Sequence, residues 1–131
     1  MTNRYARSFQ DLIVYHRACE VALQISQLTE GFPCGERYSL ADQMRRSSRS
    51  IGAHIAEAWG KRRYHRAFIS RLTDADAEQL ETQHWLQIAV KSGYLSEEQA
   101  HDLANKLSEV GKMLNSMMCQ AERFCGLITD Y

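Results

Sequence analysis

The stretch EEQAHDLANKLSEVGKMLNSMMCQAERFC, residues 97–125, decides how this chain folds. Within it Leu103, Leu107, Val110, Leu114, Met117, Ala121 and Phe124 recur at alternating steps of four and three. An α-helix turns once in about 3.6 residues, so this spacing lines up all seven side chains along one seam of a single rod. Ser96 and Gln99 stand at its start in the order of a capping box, where each side chain takes up the other's free backbone amide. A helix with one greasy edge is marginal in water on its own; it needs other helices with matching edges.

Such edges lie upstream. Val14, Ala18, Val21, Ile25 and Leu28 predict a helix over 9–30, opened by Ser8 and Asp11 and closed by Gly31, Phe32 and Pro33. Leu40, Met44, Ile51, Ile55 and Trp59, with Ser47 and Ser48 filling the stripe, predict a second over 39–60. Phe68, Leu72, Ala75, Leu86 and Val90 predict a third over 65–92, ended by Gly93. Gln79 and Thr82 interrupt that third edge and need polar partners if buried. Connections of about two to eight residues oblige consecutive helices to run in opposite directions. The expected fold is all-α: an antiparallel up-down-up-down four-helix bundle, one domain over 1–131, with the last helix at 97–125.

Composition points the same way. A chain of 131 residues with one proline and seven glycines has too few breakers for a many-turned β fold. No run of about eighteen apolar residues is present, so no membrane span is expected. The start, MTNRYARSFQDL, has no apolar signal core, so a cytoplasmic location is expected. Four cysteines (Cys19, Cys34, Cys119, Cys125) without C-x-x-C spacing are expected to be small buried hydrophobes, with Cys119 the exception because it projects away from its helix's seam.

The formal charge is zero, but unevenly spread. Residues 1–71 hold twelve Lys/Arg against six Asp/Glu, and residues 72–131 hold four against ten. This asymmetry suits either a basic binding surface or two halves packed with complementary charge. The candidate nucleic-acid contacts are Arg45, Arg46, Arg49, Lys61, Arg62, Arg63 and Arg66, with Tyr64 and His65 in the KRRYHR loop. Guanidinium forks match phosphate oxygens, and the two rings can stack on unpaired bases. On a helical wheel the three arginines of the second helix fall opposite its apolar stripe. Asp42, three and four residues before Arg45 and Arg46, is placed to pair with them, which would make this face merely a solvated one.

Other constellations read as structural. The pairs Glu81/His84 and Glu98/His101 have the E-x-x-H spacing of di-iron bundle sites, but the wheel turns both outward. His16 with Cys19 is a lone i, i+3 pair suited to packing. Met113, Met117 and Met118 fit core packing along the fourth seam, or a promiscuous peptide groove. No metal and no cofactor are expected. Without a glycine-rich phosphate loop, a G-x-S-x-G turn or an oriented base, the expectation is a non-enzymatic binding module. A second apolar set on the first helix (Leu12, Tyr15, Cys19, Ala22) and Trp85 and Ile88 on the third exceed what one bundle seam needs, and so suggest contact between subunits.

Three segments carry a family likeness: FQDLIVYHRA from Phe9, GFPCGERYSLADQMRRSSRSIGAHIAEAWGKR from Gly31, and ETQHWLQIAVKSGYLSEE from Glu81. In these, over roughly residues 9–125, the chain resembles the 23S rRNA intervening-sequence proteins. Gly52 and His54 stand where that pattern has proline and asparagine, and Ala58 where it has glycine. The resemblance implies a four-helix bundle assembling as a homo-oligomer, a pentameric ring, with no catalytic activity, and an association with RNA or an RNA-binding protein. Related bundles are accessory proteins to reverse transcriptases, so a protein partner, such as a helix or a polymerase-like protein, is the alternative.

Overall fold

A computed structural model describes residues 6–125; the remaining parts of the expected 1–131 domain lie outside the described residues. Four long helices follow one another, α1 (Ile13–Thr29), α2 (Leu40–Gly60), α3 (His65–Lys91) and α4 (Glu97–Cys119), then a short α5 (Ala121–Cys125). Two 3-10 turns, Phe9–Asp11 and Cys34–Glu36, precede α1 and α2, and no strand occurs among the described residues.

Two boundaries differ from the sequence expectation, for local reasons. The Ser8–Asp11 capping box forms, but it opens the 3-10 turn Phe9–Asp11 rather than α1. Leu12 then adopts extended backbone (φ −78°, ψ 129°) and turns its side chain into the core, so α1 begins at Ile13. The seam of residues 97–125 breaks at Gln120. Beyond the break α5 folds onto α3, burying Ala121 and Cys125 and stacking Phe124 on Phe68 with ring centroids 5.9 Å apart.

Helix α2 packs against α1 and α3, and α4 packs against α3 and α1. The expected seams meet in one core, where Ile25, Met44, Ile51, Phe68, Leu86 and Leu107 are sealed from solvent. The polar interruptions find partners. Thr82 Oγ1 lies 2.8 Å from Ser47 Oγ across the α2–α3 interface and 2.8 Å from the Glu78 carbonyl. Gln79 Nε2 donates to Asp76 Oδ1 at 3.0 Å, and Gln79 Oε1 accepts from Gln83 Nε2 at 2.8 Å. Against that amide lies Gly111 of α4: a Cβ there would sit 2.8 Å from Gln79 Nε2 and 3.2 Å from Asp76 Oδ1. Glycine at this point lets α4 approach a polar wall that any side chain would push away.

At the start of α2, Ser39 makes no side-chain bond to the helix backbone. Glu36 serves instead. Its carboxylate accepts from the Ser39 hydroxyl, from the Leu40 amide at 3.4 Å, and from Tyr94 Oη at 2.8 Å in the α3–α4 connection. Those donors hold the Glu36 carboxyl below its ordinary value of 4.5, the serine contributing most. A carboxyl lowered in the folded state stabilises above its unfolded range and loses that contribution as pH falls through the folded value.

Two measurements test this packing. In urea titrations Leu107→Ala should cost about 2–5 kcal/mol, as a cavity in a closed core does, and Gly111→Leu about 1–3 kcal/mol by overpacking. Between pH 5 and pH 3 the urea midpoint should drop less for Glu36→Gln than for the unaltered chain; equal drops would remove Glu36 from the acid response.

Candidate nucleic-acid interface

With its core face turned inward and flanks against α1 and α3, α2 leaves only a narrow strip to solvent. Arg46 and Arg49 lie on it, exposed. Arg45 does not stand opposite the core as the wheel suggested. It is half-buried and turned toward α1, its Nε donating to Thr29 Oγ1 at 3.0 Å. Thr29 is itself buried and donates to the Ile25 carbonyl at 2.8 Å.

At the far end of α2, the tight connection to α3 presents Lys61, Arg63, Tyr64, His65 and Arg66 outward, all exposed. Arg62 is different. Its guanidinium carbon lies 3.6 Å from the centroid of the Trp59 ring, and its Nε donates to the Trp59 carbonyl at 2.8 Å. Burial lowers its pKa from the ordinary arginine value, while the nearby Cys125 acts in the opposite direction. The same burial raises the Cys125 thiol above its ordinary 9.0. Arg62 thus closes the end of α2, and its fork is less free to meet a ligand than its neighbours.

The expected neutralisation by Asp42 is not found. Among the described residues the ion pairs are Arg71–Asp74 at 3.2 Å and Lys106–Asp102 at 3.5 Å, and the His54 ring lies 3.4 Å from the Glu57 carboxylate and 3.5 Å from that of Glu78. None uses a residue of the basic set. Arg45 reaches sideways to Thr29 instead of back along its own helix, and Arg46 extends into solvent.

Nor does the set form one patch. At 1.5 Å rise per residue, Arg45 and Lys61 are about 24 Å apart along α2. Lys61, Arg63 and Arg66 with Tyr64 cluster at one end; Arg46 and Arg49 trail along the strip; Arg45 belongs to the other end. There it borders a small pocket with Arg37, a residue the sequence reading passed over.

The suspected subunit-contact residues also separate. Leu12 is part of the chain's own core. Tyr15 and Cys19 line a groove of about 470 Å³ between α1 and α2, together with Leu23, Ala53 and Ala56. Leu23 is 65% exposed there. Its floor is shallow because α2 carries small residues; a Cβ on Gly52 would meet the Tyr15 ring at 3.6 Å. Trp85 and Ile88, both half-buried, are on α3 and not on the two helices that form the groove. Trp85 Nε1 donates to Glu81 Oε2 at 3.0 Å. The missed signal was the run of small residues Gly52, Ala53 and Ala56, which thins α2 on the side facing α1.

Glu81, His84, Glu98 and His101 are all exposed, and no three of His, Cys, Asp and Glu among the described residues converge to hold a metal. Among the cysteines, Cys125 is buried and Cys19 half-buried, and Cys119, the expected exception, is exposed at the last residue of α4; Cys34 departs from the expectation, being exposed in its 3-10 turn. No helix among the described residues is long and apolar enough to cross a membrane.

The family model described as 23S rRNA-intervening sequence protein matches residues 10–116, from the turn before α1 nearly to the end of α4. The chain belongs to that family. The whole basic strip lies inside the match, whereas α5, with the Phe124 that stacks on Phe68, lies beyond it. Among solved structures, the chain is similar to a protein with unknown function from the S23 ribosomal protein family of Bacteroides thetaiotaomicron, at 1.70 Å resolution. The two are 30% identical over 81% of this chain and 98% of that one, with a TM-score of 0.73. A comparison with curated proteins finds none that matches.

Proposed function

We propose that this member of the 23S rRNA-intervening sequence family is a non-enzymatic, cytoplasmic binding module that holds RNA, alone or within a nucleoprotein, against the α2–α3 turn. The observation that carries the reading is the cluster of Lys61, Arg63 and Arg66, exposed and free of carboxylate partners among the described residues, around an exposed Tyr64. Cations without partners keep their full attraction for phosphate, and a tyrosine beside them supplies a face for an unpaired base. The family name adds an association with ribosomal RNA genes.

The scaffold in this reading is an antiparallel up-down-up-down four-helix bundle. Cross-helix pairs support it. Toward the C-terminus of α2, from Ser47 to His54, the partner on α3 moves back from Thr82 to Glu78. From Gly111 to Met118 on α4, it moves back from Gln79 to Thr73. We further propose that the bundle assembles with copies of itself, as a ring of five if it follows the family resemblance, through the groove holding Tyr15, Cys19 and Leu23. An exposed apolar groove with small residues on its floor favours close approach of another helix. The same groove favours the second reading, a protein-directed accessory factor with no contact to nucleic acid.

Binding to a fluorescent single-stranded RNA at two salt concentrations tests the first reading. Affinity should fall steeply with salt, and Arg63→Gln or Arg66→Gln should each reduce the log–log slope by about one. A salt-independent response, or no binding at all, would leave the protein-directed reading standing. For self-assembly, light scattering at micromolar concentration should give a multiple of 15.1 kDa, and Leu23→Glu should return it to the single-chain mass. A monomer before any substitution would sink that part.

A further inference from the structure

The pocket at the other end of α2 differs in kind from the strip, and it goes beyond the proposed RNA contact. It measures about 160 Å³ and is bordered by Thr29, Glu30, Phe32, Pro33, Arg37 and Arg45, with Ala41 and Cys34 completing the wall. Two arginines border it from different elements, Arg45 from α2 and Arg37 from the turn that precedes α2. Neither takes part in an ion pair among the described residues. The nearby Glu36 carboxylate is already occupied by Ser39, Leu40 and Tyr94.

Arg45 is also fixed in place. Thr29 Oγ1 accepts from its Nε at 3.0 Å, and Thr29 is anchored by its bond to the Ile25 carbonyl. A guanidinium held through Nε keeps its two terminal nitrogens as a planar fork, the geometry that grips two oxygens of a phosphate. Phe32, which is buried, and Pro33 and Ala41 give this fork an apolar backing, which strengthens an electrostatic contact relative to open water.

We infer that the pocket between the end of α1 and the start of α2 is an anion site for one phosphate group, gripped by Arg45 and Arg37. Its size suits a single phosphoryl or terminal phosphate rather than a strand. The carboxylate of Glu30, on the pocket rim, opposes occupancy and excludes ligands that bring more negative charge toward that side. The phosphate could be that of a free small molecule or the 5′ end of a nucleic acid; the chemistry of the grip is common to both.

Arg45 Nε–H, hydrogen-bonded and half-buried, gives a side-chain guanidinium N–H signal to follow by NMR during titration with inorganic phosphate. Saturating shifts of the Arg45 and Arg37 Nε signals are expected, with chloride at equal ionic strength producing none. Arg37→Gln, an exposed position that leaves the Thr29 bond intact, should weaken phosphate binding at least tenfold, and Glu30→Gln should strengthen it. Arg63→Gln should leave phosphate binding unchanged while weakening RNA, so loss of one site is told apart from loss of the other. A 5′-phosphorylated oligonucleotide that outcompetes its dephosphorylated twin identifies a nucleic-acid end; equal competition identifies a free phosphate compound. Non-saturating shifts, or shifts as large at Arg63 as at Arg45, would overturn the site.

Discussion

The structure depends on α2 having two packed flanks as well as a buried face. Leu40, Met44, Ile51, Ile55 and Trp59 seal it to the core, while Ser47 and Ser48 keep that face thin enough for neighbouring helices to approach. The serine hydroxyls remain polar. Ser47 meets Thr82, and Ser48 bonds back to the Arg45 carbonyl at 3.2 Å. With α1 on one side and α3 on the other, only one edge of α2 is left to water, and the arginines are confined to it or pushed to its ends. The placement of the chemistry is thus a consequence of packing.

The α3–α4 side works by a different constraint, one of alignment. Apolar seams alone would tolerate sliding by a heptad, since one leucine replaces another. Gln79 bonds only within α3, to Asp76 and Gln83, while Thr82 bonds across to Ser47 of α2. The hydroxyl pair therefore aligns α2 with α3, and the α3–α4 alignment rests on Gly111. Gly111 adds a steric condition, since only at that position does α4 lack a side chain opposite the Gln79 amide. Polar groups that weaken α3's apolar edge in sequence therefore fix how its neighbours sit against it.

The sequence was most readable where periodicity governs. The four long helices follow from spacing alone, and the Ser96–Gln99 cap forms as read. Errors fall where a local bond competes with the helix: the Ser8–Asp11 box opens a 3-10 turn, and the seam through Phe124 bends at Gln120 to bring that ring onto Phe68. The site was less readable because its decisive contacts are between elements. A wheel puts Arg45 opposite the core, but cannot foresee Thr29, sixteen positions earlier, as its partner. For the same reason Arg37 gave no signal, standing alone in a loop until folding brought it beside Arg45.

The two basic regions therefore differ in how they meet an anion. Lys61, Arg63 and Arg66 stand free, so a ligand must order long side chains that each carry about 2 kcal/mol of rotamer entropy. Such a surface adapts to shape and answers mainly to charge, as a contact to an irregular strand requires. Arg45 has been ordered in advance by Thr29, and that part of the entropy was lost on folding. Pre-ordering favours a small anion of fixed geometry over a long flexible one. A chain of zero net charge can thus hold separate places for negative ligands, because what decides attraction is where arginines and lysines stand outside ion pairs rather than the total.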